Sequence, residues 1–228
     1  MGNRQIVAEH LRNGNVEALG ELAATDSGVV ASLVRGLYHP EASIRWGAAD
    51  ALGRAAGHWL PSQRPRVERV LQRLVWALND ESGTTGWGVP QAIGEVVRQD
   101  RQLSDDHGPL LASWLGDAEV ELDNRLMVRG LLFAIGRVGE NRPEAVQPAV
   151  PGVIARLADP DAATRGLAAR VLGILRARDT MDAVAALCSD VAPLDIYAEG
   201  RMRPTTVAQL AAEAVERLRW GGGAPPEI

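Results

Sequence analysis

Asp159-Pro160-Asp161-Ala162-Ala163-Thr164-Arg165-Gly166-Leu167-Ala168-Ala169-Arg170-Val171-Leu172-Gly173 reads as a turn followed by a helix. Asp-Pro-Asp stops a preceding helix and offers an N-cap carboxylate to the next one. The Ala-rich run behind it predicts a helix from Ala162 to Ala177. Its closing triplet, Val171-Leu172-Gly173, has counterparts upstream in Ala134-Ile135-Gly136, Ala92-Ile93-Gly94 and Ala51-Leu52-Gly53, at intervals of 37, 42 and 41 residues. Self-similarity at this period is the signature of stacked helical repeats, none of which can bury its apolar face alone.

Each repeat reads as two helices joined by a short, often acidic turn. In the first, Val29, Val30, Leu33, Val34 and Leu37 have helical spacing, and His39-Pro40-Glu41 breaks the helix. A second helix then runs from about Ser43 to a C-cap at Gly57. In the second repeat Val67, Val70, Leu71, Leu74 and Leu78 form the stripe, Asn79 to Gly88 the turn, and Val89 to Val97 the next helix, with Pro90 in its first turn. The third joins a helix around Leu110, Leu111 and Leu115 to one from Asn124 to Val138, and the fourth joins Val150, Val153, Ile154 and Leu157 to the helix after Asp161.

The fifth repeat is atypical. A short helix from Met181 to Leu187 precedes Asp195-Ile196-Tyr197-Ala198-Glu199-Gly200-Arg201-Met202-Arg203, a small β-hairpin turning at Glu199-Gly200. A final helix begins near Thr206, where Thr206 and Gln209 match a capping box. Arg4 to Arg12 and Val16 to Ala23 form an N-terminal cap. The expected fold is an all-α, right-handed α-solenoid of about five helix pairs with that hairpin in the last repeat. It is one domain over 1–220, with a cap at 1–25, repeats at 28–57, 65–98, 106–139, 145–178 and 180–219, and a disordered tail at 221–228.

Composition narrows the function classes. A net charge of −5 opposes nucleic acid, which takes most of its affinity from clustered Lys and Arg, and suits basic partners better than acidic ones. All 24 basic residues are Arg, a rigid and bidentate donor. The one cysteine, Cys188, has no partner for a disulfide or a zinc framework and reads as a small buried residue. The first residues lack a secretory h-region, Ile6 stands where a myristoylation signal needs Ser or Thr, and no apolar run is long enough to span a bilayer. The expected address is the cytoplasm, with no membrane contact.

At Arg45-Trp46-Gly47-Ala48-Ala49-Asp50-Ala51-Leu52-Gly53, and again over 159–173, the chain resembles HEAT repeats, closest to the short subclass first named from phycobilisome lyases. The resemblance covers roughly residues 28 to 219. It implies an interaction scaffold whose stacked inner helices present a curved surface to a protein or peptide. Hydroxylase members of that group hold two irons with repeated His-Glu pairs, whereas this chain has only Glu9-His10, in reverse order. No metal site, cofactor or catalytic residue is therefore assigned, and the chain is expected not to be an enzyme. The alternative from the same resemblance is a lyase-like subunit handling a bilin or another conjugated cofactor.

The repeat register defines a candidate face. At 100° per residue, Ile44, Ala48, Ala51 and Ala55 share the core side of their helix, and Trp46, Asp50 and Gly53 point away. Counting back seven and three positions from each triplet glycine gives Trp46 and Asp50, Trp87 and Gln91, Arg129 and Phe133, Gly166 and Arg170. Aromatic and Arg side chains are those enriched at binding surfaces, so Trp46, Asp50, Trp87, Gln91, Arg129, Phe133 and Arg170 are the candidate partner-binding residues. The competing assignment is packing between repeats.

Weaker signals stand beside this ladder. Gly83-Thr84-Thr85-Gly86-Trp87-Gly88 has free amides for an anion, although glycines in a long turn more often just permit positive φ. Asp80-Glu81, Asp117 to Asp123 and Asp159 to Asp161 line one edge, either as a rim steering a basic partner or simply as helix caps. Arg66, Arg69 and Arg73 share a solvated face, and Trp114 has core spacing.

Overall fold

The computed structural model describes residues 3–78, 87–116 and 124–220. The chain has the mostly helical repeat fold of the solenoid class, with a two-stranded hairpin near its C-terminal end. It divides into two compact units, Met1–His107 with Tyr197–Met202, and Gly108–Ile196 with Arg203–Ile228.

The first unit contains α1 (Asn3–Arg12), α2 (Val16–Thr25), α3 (Ser27–Gly36), α4 (Ala42–Trp59), α5 (Arg64–Leu78), α6 (Val89–Val97) and the start of α7 (Arg101–Gly116). Asp26 caps α3 by accepting from the Gly28 amide at 2.7 Å. Helix α4 packs between α2 and α6, and it is buried almost all round rather than on one face. Gly53 explains the triplet: a Cβ there would stand 2.7 Å from the Glu95 carbonyl oxygen, so α4 and α6 cross backbone to backbone at this point. Gly53 therefore faces the next repeat and not a free surface.

Helix α4 continues past the expected C-cap at Gly57 to Trp59. The added turn is held because the buried Trp59 indole donates to the Ala24 carbonyl at 3.0 Å. Arg66 lies 4.2 Å above that ring and donates to the same carbonyl at 3.1 Å, so it is an anchoring residue and not merely solvated charge. Arg45 holds the turn before α4, its Nη1 donating to the carbonyls of His39 at 2.7 Å and Pro40 at 3.1 Å. The third repeat starts earlier than residue 106: α7 begins at Arg101, where the Asp100 carboxylate accepts from the Leu103 amide at 3.0 Å, and it carries Pro109 internally.

The second unit contains α8 (Arg125–Asn141), α9 (Pro143–Val146), α10 (Val150–Ala155), α11 (Ala162–Ile174), α12 (Met181–Ala186) and α13 (Val207–Trp220); of the hairpin strands β1 (Pro193–Ala198) and β2 (Arg201–Thr206), the tip from Tyr197 to Met202 belongs to the first unit and the rest to the second. Pro148 and Pro151 lack amide donors, and the first helix of the fourth repeat is broken into α9, a 3-10 turn and α10. The apolar stripe read there is consequently incomplete, with Val153 buried and Ile154 40% exposed. Arg165 repeats the role of Arg45, donating to the carbonyls of Asp159 at 2.8 Å and Pro160 at 3.1 Å.

Helix α11 ends at Ile174, short of the expected Ala177, because Arg176 takes φ 53°. The amides of Arg176 and Ala177 then bond back to Gly173 at 3.3 Å and Leu172 at 3.1 Å, closing a Schellman motif. Helices α8, α11 and α13 pack in succession. A Cβ at Gly173 would stand 2.7 Å from the Ala214 Cα, a second backbone crossing. The capping box of α13 forms reciprocally: Thr206 N donates to Gln209 Oε1 at 3.1 Å, and Gln209 N donates to Thr206 Oγ1 at 3.2 Å. Glu199 and Gly200 take φ 51° and 77°, the backbone of a two-residue hairpin turn. Cys188 is exposed on the 3-10 turn after α12, contrary to the buried role read from its type.

Candidate functional site

Two sets of side chains, one in each unit, hold the candidate ladder. In the first unit, α4 presents Trp46 and Asp50, one turn apart, and both are covered by Tyr197 from the hairpin tip. The Trp46 and Tyr197 rings stack with centroids 5.9 Å apart and planes 21° from parallel. The Tyr197 hydroxyl donates to Asp50 Oδ2 at 3.0 Å, and Arg54 Nε donates to Asp50 Oδ1 at 2.8 Å. Burial pushes the Tyr197 phenol up, and the Asp50 charge and hydrogen bond push it further.

The tip is also clasped by the turn between α1 and α2. Gly14 and Gly200 both have positive φ, and a Cβ on Gly200 would stand 3.0 Å from the Gly14 carbonyl oxygen. Arg201 donates to the Asn13 carbonyl at 3.4 Å. Trp46, only 8% exposed, and Asp50 are thus covered by the chain's own tyrosine and are not open surface. Gln91 is 1% exposed within α6, its Oε1 without a hydrogen-bond partner among the described residues. Trp87 is 38% exposed, with the Arg45 guanidinium carbon 5.9 Å from its ring centroid, and is the most open candidate in this unit.

In the second unit Arg129, on α8, forks onto Asp161 with its Nε 2.8 Å from Oδ2 and its Nη2 on Oδ1. Asp161 is the N-cap of α11 and also accepts from the Thr164 amide at 2.9 Å and hydroxyl at 2.8 Å. Burial pushes the Asp161 carboxyl up; the Arg129 fork and the two Thr164 bonds outweigh it and hold it at about 2, against an ordinary 3.8. A carboxyl with a depressed folded-state pKa stabilises above its unfolded value and loses that contribution as pH falls through the folded one. Thermal melts of the wild type are therefore expected to fall between about pH 4 and about pH 2, and Arg129→Leu is expected to flatten that limb. Parallel limbs for the two proteins would remove the Arg129–Asp161 pair from the account.

Phe133 is half-buried on α8, with the Arg137 guanidinium carbon 6.0 Å from its ring centroid. Arg170, on α11, is half-buried and makes no hydrogen bond or ion pair with any described residue. Burial pushes its pKa down, Arg217 on α13 and Arg137 on α8 add to that, and Glu140 and Glu213 oppose it. The second unit thus gathers Phe133 and Arg170 with Arg137 and Arg217, while Arg129 serves the turn before α11. Counting from the triplets missed Arg137, which directly follows Gly136, and Arg217, whose helix carries no triplet.

The signals on Asp80-Glu81, Gly83 to Gly86 and Asp117 to Asp123 lie outside the described residues, as does the tail at 221–228. Among the described residues no three His, Cys, Asp or Glu side chains group closely enough to hold a metal ion, and no helix is long and apolar enough to cross a membrane.

A family model described as a HEAT-like repeat matches residues 127–175, the stretch from α8 to the end of α11. An uncharacterized protein of Archaeoglobus fulgidus is 28% identical over 189 residues, covering 81% of this chain and 94% of that one. Among solved structures, a designed armadillo repeat protein in complex with the peptide (KR)4 is similar with a TM-score of 0.56 at 17% identity, covering 95% of this chain and 91% of its own. An engineered protein matches with a TM-score of 0.54 at 14% identity, over 97% and 98% of the two chains. Residues 127–175 are thus similar to a HEAT-like repeat, and the chain has an armadillo/HEAT-type helical-repeat fold.

Proposed function

We propose that the chain is a non-enzymatic scaffold that holds a protein or peptide on the face shared by α8, α11 and α13, through Phe133, Arg137 and Arg170. The observation that carries this reading is Arg170, a guanidinium drawn partly out of water without an acceptor among the described residues. Desolvating a charge without pairing it is unfavourable, and an acceptor on a partner would recover that cost. The half-buried Phe133, with Arg137 near its ring, supplies the aromatic area that interface hot spots favour. A cytoplasmic address suits the exposed, unpaired Cys188, since a reducing compartment keeps such a thiol free.

The lyase-like reading, with a bilin or similar cofactor stacked on the ladder, belongs to the phycobilisome-lyase subclass of these repeats. It is less favoured because Trp46, the stacking residue it would use, already stacks on Tyr197. Added tetrapyrrole is expected to leave the protein's absorbance a simple sum of the two components.

A photo-crosslinking amino acid placed at position 133, 170 or 46 in cells of the source organism tests the scaffold assignment. Positions 133 and 170 are expected to capture the same protein, and position 46 none. Crosslinks from position 46 alone, or from no position, would overturn the assignment.

A further inference from the structure

We infer that the partner segment taken by this face is acidic: one of its carboxylates pairs with Arg170 between Arg137 and Arg217, and a neighbouring apolar side chain lies on Phe133. The inference rests on the scaffold reading and adds the chemistry of the partner.

Three adjacent helices contribute to the charge at this point. Arg137 and Glu140 come from α8, Arg170 from α11, and Glu213 and Arg217 from α13, helices that pack in succession, so the charges acting around Arg170 amount to three guanidiniums and two carboxylates. Arg137 is already paired with Glu140. Arg170 and Arg217 carry no hydrogen bond or ion pair with the described residues, and Arg217 is exposed. The local excess is therefore positive although the whole chain carries −5. At physiological salt the field a docking side chain feels is set within roughly 8 Å, so this excess decides the sign of the complementary group.

A planar guanidinium donates two parallel hydrogen bonds to a carboxylate, and a partly desolvated one gains more from the pair than a solvated one. The (KR)4 peptide of the designed armadillo protein would place like charges against this cluster, so the partner here has the opposite sign. A nucleic-acid strand fits less well. Its phosphates follow one another without a neutral spacer, and Glu140 and Glu213 flank Arg170 from the two neighbouring helices. Carboxylates separated by apolar residues avoid both glutamates and supply the contact for Phe133.

Fluorescence anisotropy of the full chain with a labelled octapeptide of alternating Asp and Leu tests this, beside a basic octapeptide of alternating Lys and Leu and an oligothymidylate of similar length. The acidic peptide is expected to bind, and the other two not. Arg170→Met and Arg217→Gln should each weaken that binding at least about tenfold, with Arg170→Lys, which keeps the charge but loses the bidentate fork, falling between Arg170→Met and the wild type. Arg217 is exposed, so its variant keeps the test valid if Arg170→Met disturbs the fold. Acidic binding untouched by both variants, or stronger binding of the basic peptide or the oligonucleotide, would overturn the inference. Failure of the acidic peptide while position 133 still crosslinks a protein would overturn only the acidic assignment. Failure of the crosslinks would instead remove the scaffold reading beneath it.

Discussion

Replacing Tyr197 with alanine is expected to destabilise the first unit by about 3–5 kcal/mol, the range of buried aromatic truncations. Tyr197 contributes the stack on Trp46 and the hydroxyl bond to Asp50 in one side chain, so its removal opens an aromatic contact and takes a hydrogen bond from a buried carboxylate. Tyr197→Phe separates the two contributions. It keeps the ring and is expected to cost about 1.5–3 kcal/mol, the range for a hydrogen bond to a charged group. Arg54 still pairs with the other Asp50 oxygen in that variant and limits the loss. Urea unfolding followed by tryptophan fluorescence measures both, and a loss under about 1 kcal/mol for Tyr197→Ala would mean that the hairpin tip does not seat on α4.

The triplet glycines are expected to respond to alanine with opposite signs. At Gly53 and Gly173 the added Cβ meets backbone atoms at 2.7 Å, the Glu95 carbonyl oxygen and the Ala214 Cα, which cannot swing aside. Helix separation there should cost about 1–3 kcal/mol, more than the gain of roughly 0.8–1.0 kcal/mol from replacing glycine inside a helix. At Gly136 the nearest atoms are the ends of the Val171 and Ile174 side chains at 3.4 and 3.5 Å, ordinary contact distance. Gly136→Ala is expected to stabilise by about 0.5–1 kcal/mol. Denaturant midpoints for the three variants decide the matter, and a common sign at all three positions would contradict the crossing geometry.

These glycines mark what was legible in the sequence. At Gly53 and Gly173 the triplet glycine lets two helices cross closely, and the period of the triplet is legible without knowledge of any contact. Asp161 as an N-cap, the Thr206–Gln209 box and the Glu199-Gly200 turn were readable for the same reason, since each is decided by a few neighbouring residues. The ladder was only partly readable. Counting positions around α4 separates its sides, but it cannot supply Tyr197, which arrives from far along the chain to cover Trp46 and Asp50. Arg129 looked like a free ladder residue because its partner, Asp161, belongs to the following repeat. Pro148 and Pro151 were a visible warning against a single helix in the fourth repeat, and the hydrophobic spacing of Val150 to Leu157 concealed it.

The Tyr197 cover also bears on function. A side chain that bonds Asp50 and stacks on Trp46 occupies the place that the ladder reading gave to a partner. The second unit has no such internal ligand at Arg170 among the described residues, which is why partner contact is assigned to it. The clasp and the open face are separable by mutation because the residues that form them lie in different units.

Hydroxyl-radical footprinting of the tryptophans, read by mass spectrometry in the wild type and in Tyr197→Ala, tests most directly that Trp46 is used internally. Trp76, at 72% exposed, and Trp87 are expected to oxidise readily in both proteins, while Trp46 is protected in the wild type and becomes reactive in the variant. Oxidation of Trp46 in the wild type at the rate of Trp76 would contradict the account and return Trp46 and Asp50 to the open face.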